Sequence, residues 1–128
     1  MHSTLRLVFA VGITLLPGSV LAQDTPPKAA RAVPLFDDLG TLTHPISTKV
    51  VDAQKYFDQG MRLVFAFNHG EAIRAFNEAA RLDPRCAICY WGAALAYGPH
   101  VNAGMDSASG VAPYAALQQA RALAPGAT

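Results

Sequence analysis

The distribution of proline constrains this chain more than any other feature. Pro26, Pro27, Pro34 and Pro45 punctuate the stretch from Gln23 to Ser47, and no further proline occurs until Pro84. Proline lacks a backbone donor and blocks the interior of a helix, so regular helix is expected after Thr48 and not before it. Apolar residues begin to recur at helical spacing at the same point. A first helix is expected from about Val51 to Phe67, with Tyr56, Phe57, Gly60, Met61, Val64 and Phe67 on one broad face. From Leu63 to Phe67 it is apolar all round and needs cover on more than one side.

Asn68-His69-Gly70 is a turn signal, and Asn68 followed three residues on by Glu71 reads as a capping box opening a second helix that runs to about Leu82. Its buried stripe is Ala72, Ile73, Phe76, Ala79 and Ala80. Asp83-Pro84 ends it, with Asp83 as the cap of the next helix and Pro84 in a first turn where no amide donor is needed. A third helix is expected from about Cys86 to Tyr97, stopped by Gly98-Pro99. Residues 98–112 read as a loop, and a fourth, weaker helix runs from about Pro113 to Ala124. The fold class is therefore all-α, with helices in antiparallel pairs.

Ahead of these helices lie two different segments. Residues 1–22 carry Arg6, an apolar run from Leu7 to Leu16, a Pro17-Gly18 break and then Val20-Leu21-Ala22. That order is the pattern of a secretory signal peptide, with cleavage expected after Ala22. Residues 23–47 form an extended lead-in, flexible from Gln23 to Arg31, whose Leu35, Phe36, Leu39 and Leu42 are able to lie against the helical domain at 48–128. Cleavage removes one arginine and no acid, leaving nine Lys and Arg against nine Asp and Glu. A neutral chain without a basic cluster argues against nucleic acid or an anionic membrane as the main partner. The expected location is periplasmic or secreted.

A period of 34 residues appears when the helices are aligned from Ala53. Tyr56, Gly60, Leu63, Ala72, Phe76, Ala79 and Pro84 fill the large and small packing positions of a tetratricopeptide repeat (TPR), and only Gln59 departs, where leucine is usual. This best repeat covers 53–86. A degenerate copy covers 87–128, with Tyr90, Ala93, Ala94 and Tyr97 at the corresponding positions of its first helix. Ala120 and Pro125 answer to Ala79 and Pro84 at an offset of 41, so seven residues are inserted, within the 98–112 loop.

His44-Pro45-Ile46-Ser47-Thr48, Tyr56-Phe57-Asp58-Gln59-Gly60, Phe67-Asn68-His69, Leu82-Asp83-Pro84, Tyr90-Trp91-Gly92 and Gly98-Pro99-His100-Val101-Asn102 carry a more specific likeness. Across His44 to Met105 the chain resembles a group of uncharacterised exported bacterial TPR proteins. Those proteins are usually longer, and the resemblance implies a truncated or shortened member. Repeat units bury their faces against neighbours, so self-association through the exposed repeat end is expected. The resemblance also implies a groove lined by the first helix of each pair: Gln54, Phe57, Met61, Val64 and Phe65, joined by Ile88, Trp91 and Leu95. TPR clamps for acidic peptide ends carry Lys, Arg and Asn there, whereas this apolar and aromatic set suits an amphipathic helix or an extended hydrophobic segment. The competing arrangement packs these side chains against the 32–47 lead-in.

Cys86-Ala87-Ile88-Cys89 is the one reactive-looking motif, at a helix N-terminus where a thiolate is favoured. Neither a thioredoxin-like βαβ pattern nor the histidine needed for haem attachment accompanies it, and a disulfide or buried thiols are the plainer expectation. His69 and His100 do not stand at a recognised spacing for zinc. In the 98–112 loop, His100 and Asn102 are candidates for contacts with a ligand or metal. With no glycine-rich phosphate cradle, no nucleophile elbow and no paired metal-binding histidines, neither a catalytic site nor a cofactor is expected. The sequence thus points to a TPR interaction module binding a protein or peptide, with a periplasmic dithiol or metal-handling protein using Cys86 and Cys89 as the alternative.

Overall fold

The computed structural model describes residues 32–101, 104 and 110–126. The signal peptide with its cleavage after Ala22, the start of the lead-in, Asn102 and most of the 98–112 loop lie outside them. The described part is all-helical: α1 (Val51–Phe65), α2 (His69–Leu82), α3 (Ala87–Tyr97) and α4 (Val111–Leu123), the last running into a 3-10 turn, Ala124–Gly126. No described helix is long and apolar enough to cross a membrane.

Each helix packs on the next in sequence, and α1 also touches α3. The centre of the domain is an edge-to-face pair, Phe57 of α1 and Phe76 of α2, with ring centroids 5.4 Å apart. Leu63 and the alanines of α2 and α3 close around it. Phe76 is the wedge between two helix pairs. A Cβ at Gly60 of α1 would sit 2.6 Å from its ring, and one at Gly92 of α3 only 2.5 Å. Glycine at both positions is therefore a packing requirement: the ring occupies the space where either side chain would begin.

Several boundaries depart from the sequence expectation, each for a local reason. α1 stops at Phe65 because Phe67 takes a left-handed conformation, φ 59°. The amide of Phe67 then donates to Val64 O at 3.0 Å and that of Asn68 to Leu63 O at 2.9 Å, which is the Schellman ending of a helix. Asn68 does cap α2, its Oδ1 accepting from the Glu71 amide at 3.4 Å. The reciprocal arm of the capping box does not form, since the Glu71 carboxylate is held by Arg74. Asp83 caps the end of α2 and not the start of α3. It organises the turn instead, Oδ1 accepting from the Arg85 amide at 3.0 Å and Oδ2 from Thr48 Oγ1 at 2.6 Å. The residue preceding α3 is Cys86. α4 begins two residues early, at Val111, leaving Pro113 inside the first turn, where a missing donor costs nothing.

Candidate functional site

Gln59, the residue that departs from the expected repeat pattern, is where the lead-in is held. Its side chain is 2% exposed. Nε2 donates to Pro34 O at 2.9 Å and Oε1 accepts from the Phe36 amide at 2.8 Å, so the buried amide meets the backbone of the lead-in with both of its ends. Tyr56 Oη donates to Val33 O, and Arg62 Nε to Leu42 O. Asp58 accepts from Thr43 Oγ1 and from the His44 amide, while Gln54 donates to His44 O and accepts from the Ile46 amide. Residues 33–46 are thus a strap tied along α1 by five of its side chains. An extended segment with proline cannot satisfy its own backbone groups, and side chains on the facing helix do so here.

The strap changes the groove expected from the sequence. Phe57 does not line it: the side chain is wholly buried against Phe76. Gln54 is engaged with the strap, and Met61 and Val64 are half-buried against the core. Phe65 is exposed at the end of α1. Asp58, Gln59 and Arg62 carry no sign of a binding role in the sequence. The one signal that could have found any of them is Gln59, a polar residue at a helix position where the expected repeat has leucine, because a buried amide must have designated partners.

On the second helix pair the expected groove residues are open. Trp91 and Leu95 are each 41% exposed, and Ile88 is half-buried. With Leu117, Ala120, Arg121 and Ala124 of the α4 side, Ala87, Ile88 and Trp91 line a shallow apolar hollow of about 290 Å³. Tyr114 and Val111 stand exposed on the same helix, α4. Across α3 and α4 the one charged side chain is Arg121. A larger concavity of about 990 Å³ lies at the other side of Ile88, where Lys49, Arg85 and Asp83 make it mixed in charge.

Cys86 and Cys89 form a disulfide across the first turn of α3. Both residues belong to the buried core, at 2% and 0% exposure. A sulfur buried to that degree is shielded from thiol exchange, and an oxidised pair has no thiolate to give a metal. The bridge closes a very short loop, for which the chain-entropy estimate is a stabilisation of about 2 kcal/mol. These properties are those of a staple.

His100 is brought against a residue that no sequence spacing pairs with it. The rings of His69, at the start of α2, and His100, just past the end of α3, stack with centroids 4.0 Å apart and planes 7° from parallel. Both nitrogens of His69 are buried with no hydrogen-bond partner. Among the described residues no three His, Cys, Asp or Glu side chains converge as a metal cluster.

Comparison of the chain with protein-family models, with curated proteins and with solved structures finds no match in any of the three.

Proposed function

We propose that this chain is a TPR-type interaction module of the cell envelope, and that it holds a helical segment of another protein on the open face of α3 and α4. The observation that carries the reading is a difference between its two helix pairs. At the offset of 41 that aligns Ala120 with Ala79, Leu117 answers to Phe76. Phe76 is wholly buried, wedged between Gly60 of its own pair and Gly92 of the next. Leu117 is 41% exposed, and so is Trp91, which answers to the wholly buried Phe57 at the period of 34. Side chains at the positions that join one pair to the next are thus exposed on α3 and α4, with no helix over them among the described residues. The segment that fits is one like α3, with a stripe of glycine and alanine able to receive Leu117 as Gly92 receives Phe76. The near absence of charge on α3 and α4 supports an apolar partner surface over an acidic or basic one.

The test is affinity capture from a periplasmic extract with the parent chain beside a Trp91→Glu, Leu117→Glu double variant shown by circular dichroism to keep its helicity. A partner held by the parent and released by the folded variant is the expected result, and its binding segment is then tested as a synthetic helix. Equal capture by both chains overturns this choice of face. Loss of a concentration-dependent dimer in the variant identifies the occupant as a second copy of the chain.

A further inference from the structure

We propose that a second copy of this chain docks on the outer side of α4, as a two-fold antiparallel pair of α4 helices with Gln118 on the axis. That side lies about a quarter-turn round the helix from Leu117 and Ala124, and the pairing does not depend on what occupies the α3–α4 hollow. α4 buries Pro113 and Ala120 and packs Ala116 against the core. At about 3.6 residues per turn, the side facing away from those three belongs to Val111, Tyr114, Ala115, Gln118 and Ala122, all exposed. An outward helix face normally carries charge. This stripe carries none: Val111 is 77% and Tyr114 66% exposed, and Arg121 stands at its edge.

The order of side chains along the stripe identifies the occupant. Tyr114 and Ala122, a large residue and a small one, stand four positions either side of Gln118. A second α4 laid antiparallel about Gln118 sets each tyrosine over an alanine of the other copy. A parallel pair sets tyrosine on tyrosine and alanine on alanine, crowding one end and leaving a void at the other, against close packing. The two Gln118 amides meet at the axis, each offering donors and an acceptor to the other, and a single polar residue in an apolar seam fixes the register of two helices. Arg121, three positions from the axis, then stands about 9 Å along it from its counterpart, close to the screening length of about 8 Å at physiological salt. Its aliphatic stem lies over Ala115 of the other copy.

The strap at the other end of the domain is why the pairing closes on itself. Gln54, Asp58, Gln59 and Arg62, which hold the strap, stand 34 positions before Ile88, Gly92, Ala93 and Ala96. Gly92 receives the Phe76 ring of α2, and Ala93 and Ala96 are buried in the same core. The strap thus lies on the side of α1 that matches the side α3 turns to α2. A copy docking there displaces it and leaves the buried Asp58 and Gln59 side chains without partners, at a cost of about 1–3 kcal/mol for each group. Head-to-tail growth is closed by that cost, and a surface that meets only itself gives a two-fold dimer. One helix against one helix buries less than the roughly 1,200 Å² of a standard interface, so the dimer is weak and concentration-dependent.

Sedimentation of the full chain over a range of concentrations is expected to show a monomer–dimer equilibrium. Tyr114→Glu, at an exposed position, raises its dissociation constant on the order of tenfold or more with the circular dichroism spectrum unchanged. Trp91→Glu, on α3, leaves the dimer in place, so failure of this pairing and failure of docking in the α3–α4 hollow are told apart. Gln118→Cys reads the geometry directly. Mild oxidation links it as a covalent dimer, because the axis sets the residue against its own copy, and Cys86 and Cys89, buried and already bridged, do not compete. Val111→Cys, seven positions from the axis, does not link, since an antiparallel pair holds those two residues roughly 20 Å apart. A chain that is monomeric at every concentration, a dimer that survives Tyr114→Glu or is lost in Trp91→Glu, failure of Gln118→Cys to link, or linkage through Val111→Cys overturns the proposal.

Discussion

Phe67 holds the left-handed conformation that usually belongs to glycine at the end of a helix, and it does so with its ring 56% exposed. Little packing offsets the backbone cost of roughly 1–2 kcal/mol for a side chain in that region. Phe67→Gly is therefore expected to stabilise the domain by about 1 kcal/mol, measured as a higher urea midpoint with unchanged slope. A lower midpoint would mean that the exposed ring, whose centroid lies 6.4 Å from that of His69, supports the start of α2. Hydrophobic periodicity puts Phe67 inside α1, and nothing in the residue type announces a left-handed cap. The turn signal at Asn68-His69-Gly70 is legible, but which residue absorbs the turn is decided by the Schellman hydrogen bonds to Leu63 and Val64.

At the scale of elements, α1 does two jobs on two sides. Phe57 and Gly60 face the core, and Gln54, Asp58, Gln59 and Arg62 hold the strap. Gln59→Leu introduces the residue that the expected repeat pattern has there and should nonetheless loosen the protein. It removes two hydrogen bonds to strap backbone, a net loss of about 1–3 kcal/mol that added apolar burial partly offsets. The direct readout is hydrogen exchange at the Phe36 amide, which is expected to lose its protection in the variant. Retained protection would show that Tyr56 and Asp58 hold the strap without Gln59. The existence of α1 and α2 and nearly all of their bounds can be read from proline and apolar spacing. The strap itself is visible only as a misfit, because a glutamine at a buried position names no partner until the chain is folded.

For the molecule as a whole, the joint between the helix pairs is the Phe76 ring. Gly92→Ala puts a methyl group where that ring already sits, 2.5 Å from its edge. Overpacking of a core costs typically about 1–3 kcal/mol, while alanine in a helix is worth up to about 1 kcal/mol over glycine. The expected net effect is destabilisation, with α3 and α4 unpairing from α1 and α2 before the first pair melts. Thermal unfolding followed at Trp91, the one tryptophan of the chain, should then separate from unfolding followed by far-ultraviolet circular dichroism. Coincident transitions at the parent temperature would show that the ring yields without disturbing the joint.

What the sequence determined by itself is local: four helices, the turns between them, and the small residues that let helices approach, all consequences of backbone propensity and apolar period. It also singled out Cys86 and Cys89, a pair close enough in the chain that one helical turn joins them. The tertiary structure decided everything that depends on distant segments meeting. It buried Phe57 and left Trp91 41% exposed, although the two stand at matching places 34 positions apart, because Phe76 and the strap enclose the first while no described segment covers the second. It also stacked His69 on His100, 31 positions apart in the chain, a pairing set by where α2 starts and α3 ends and by no spacing that a sequence displays.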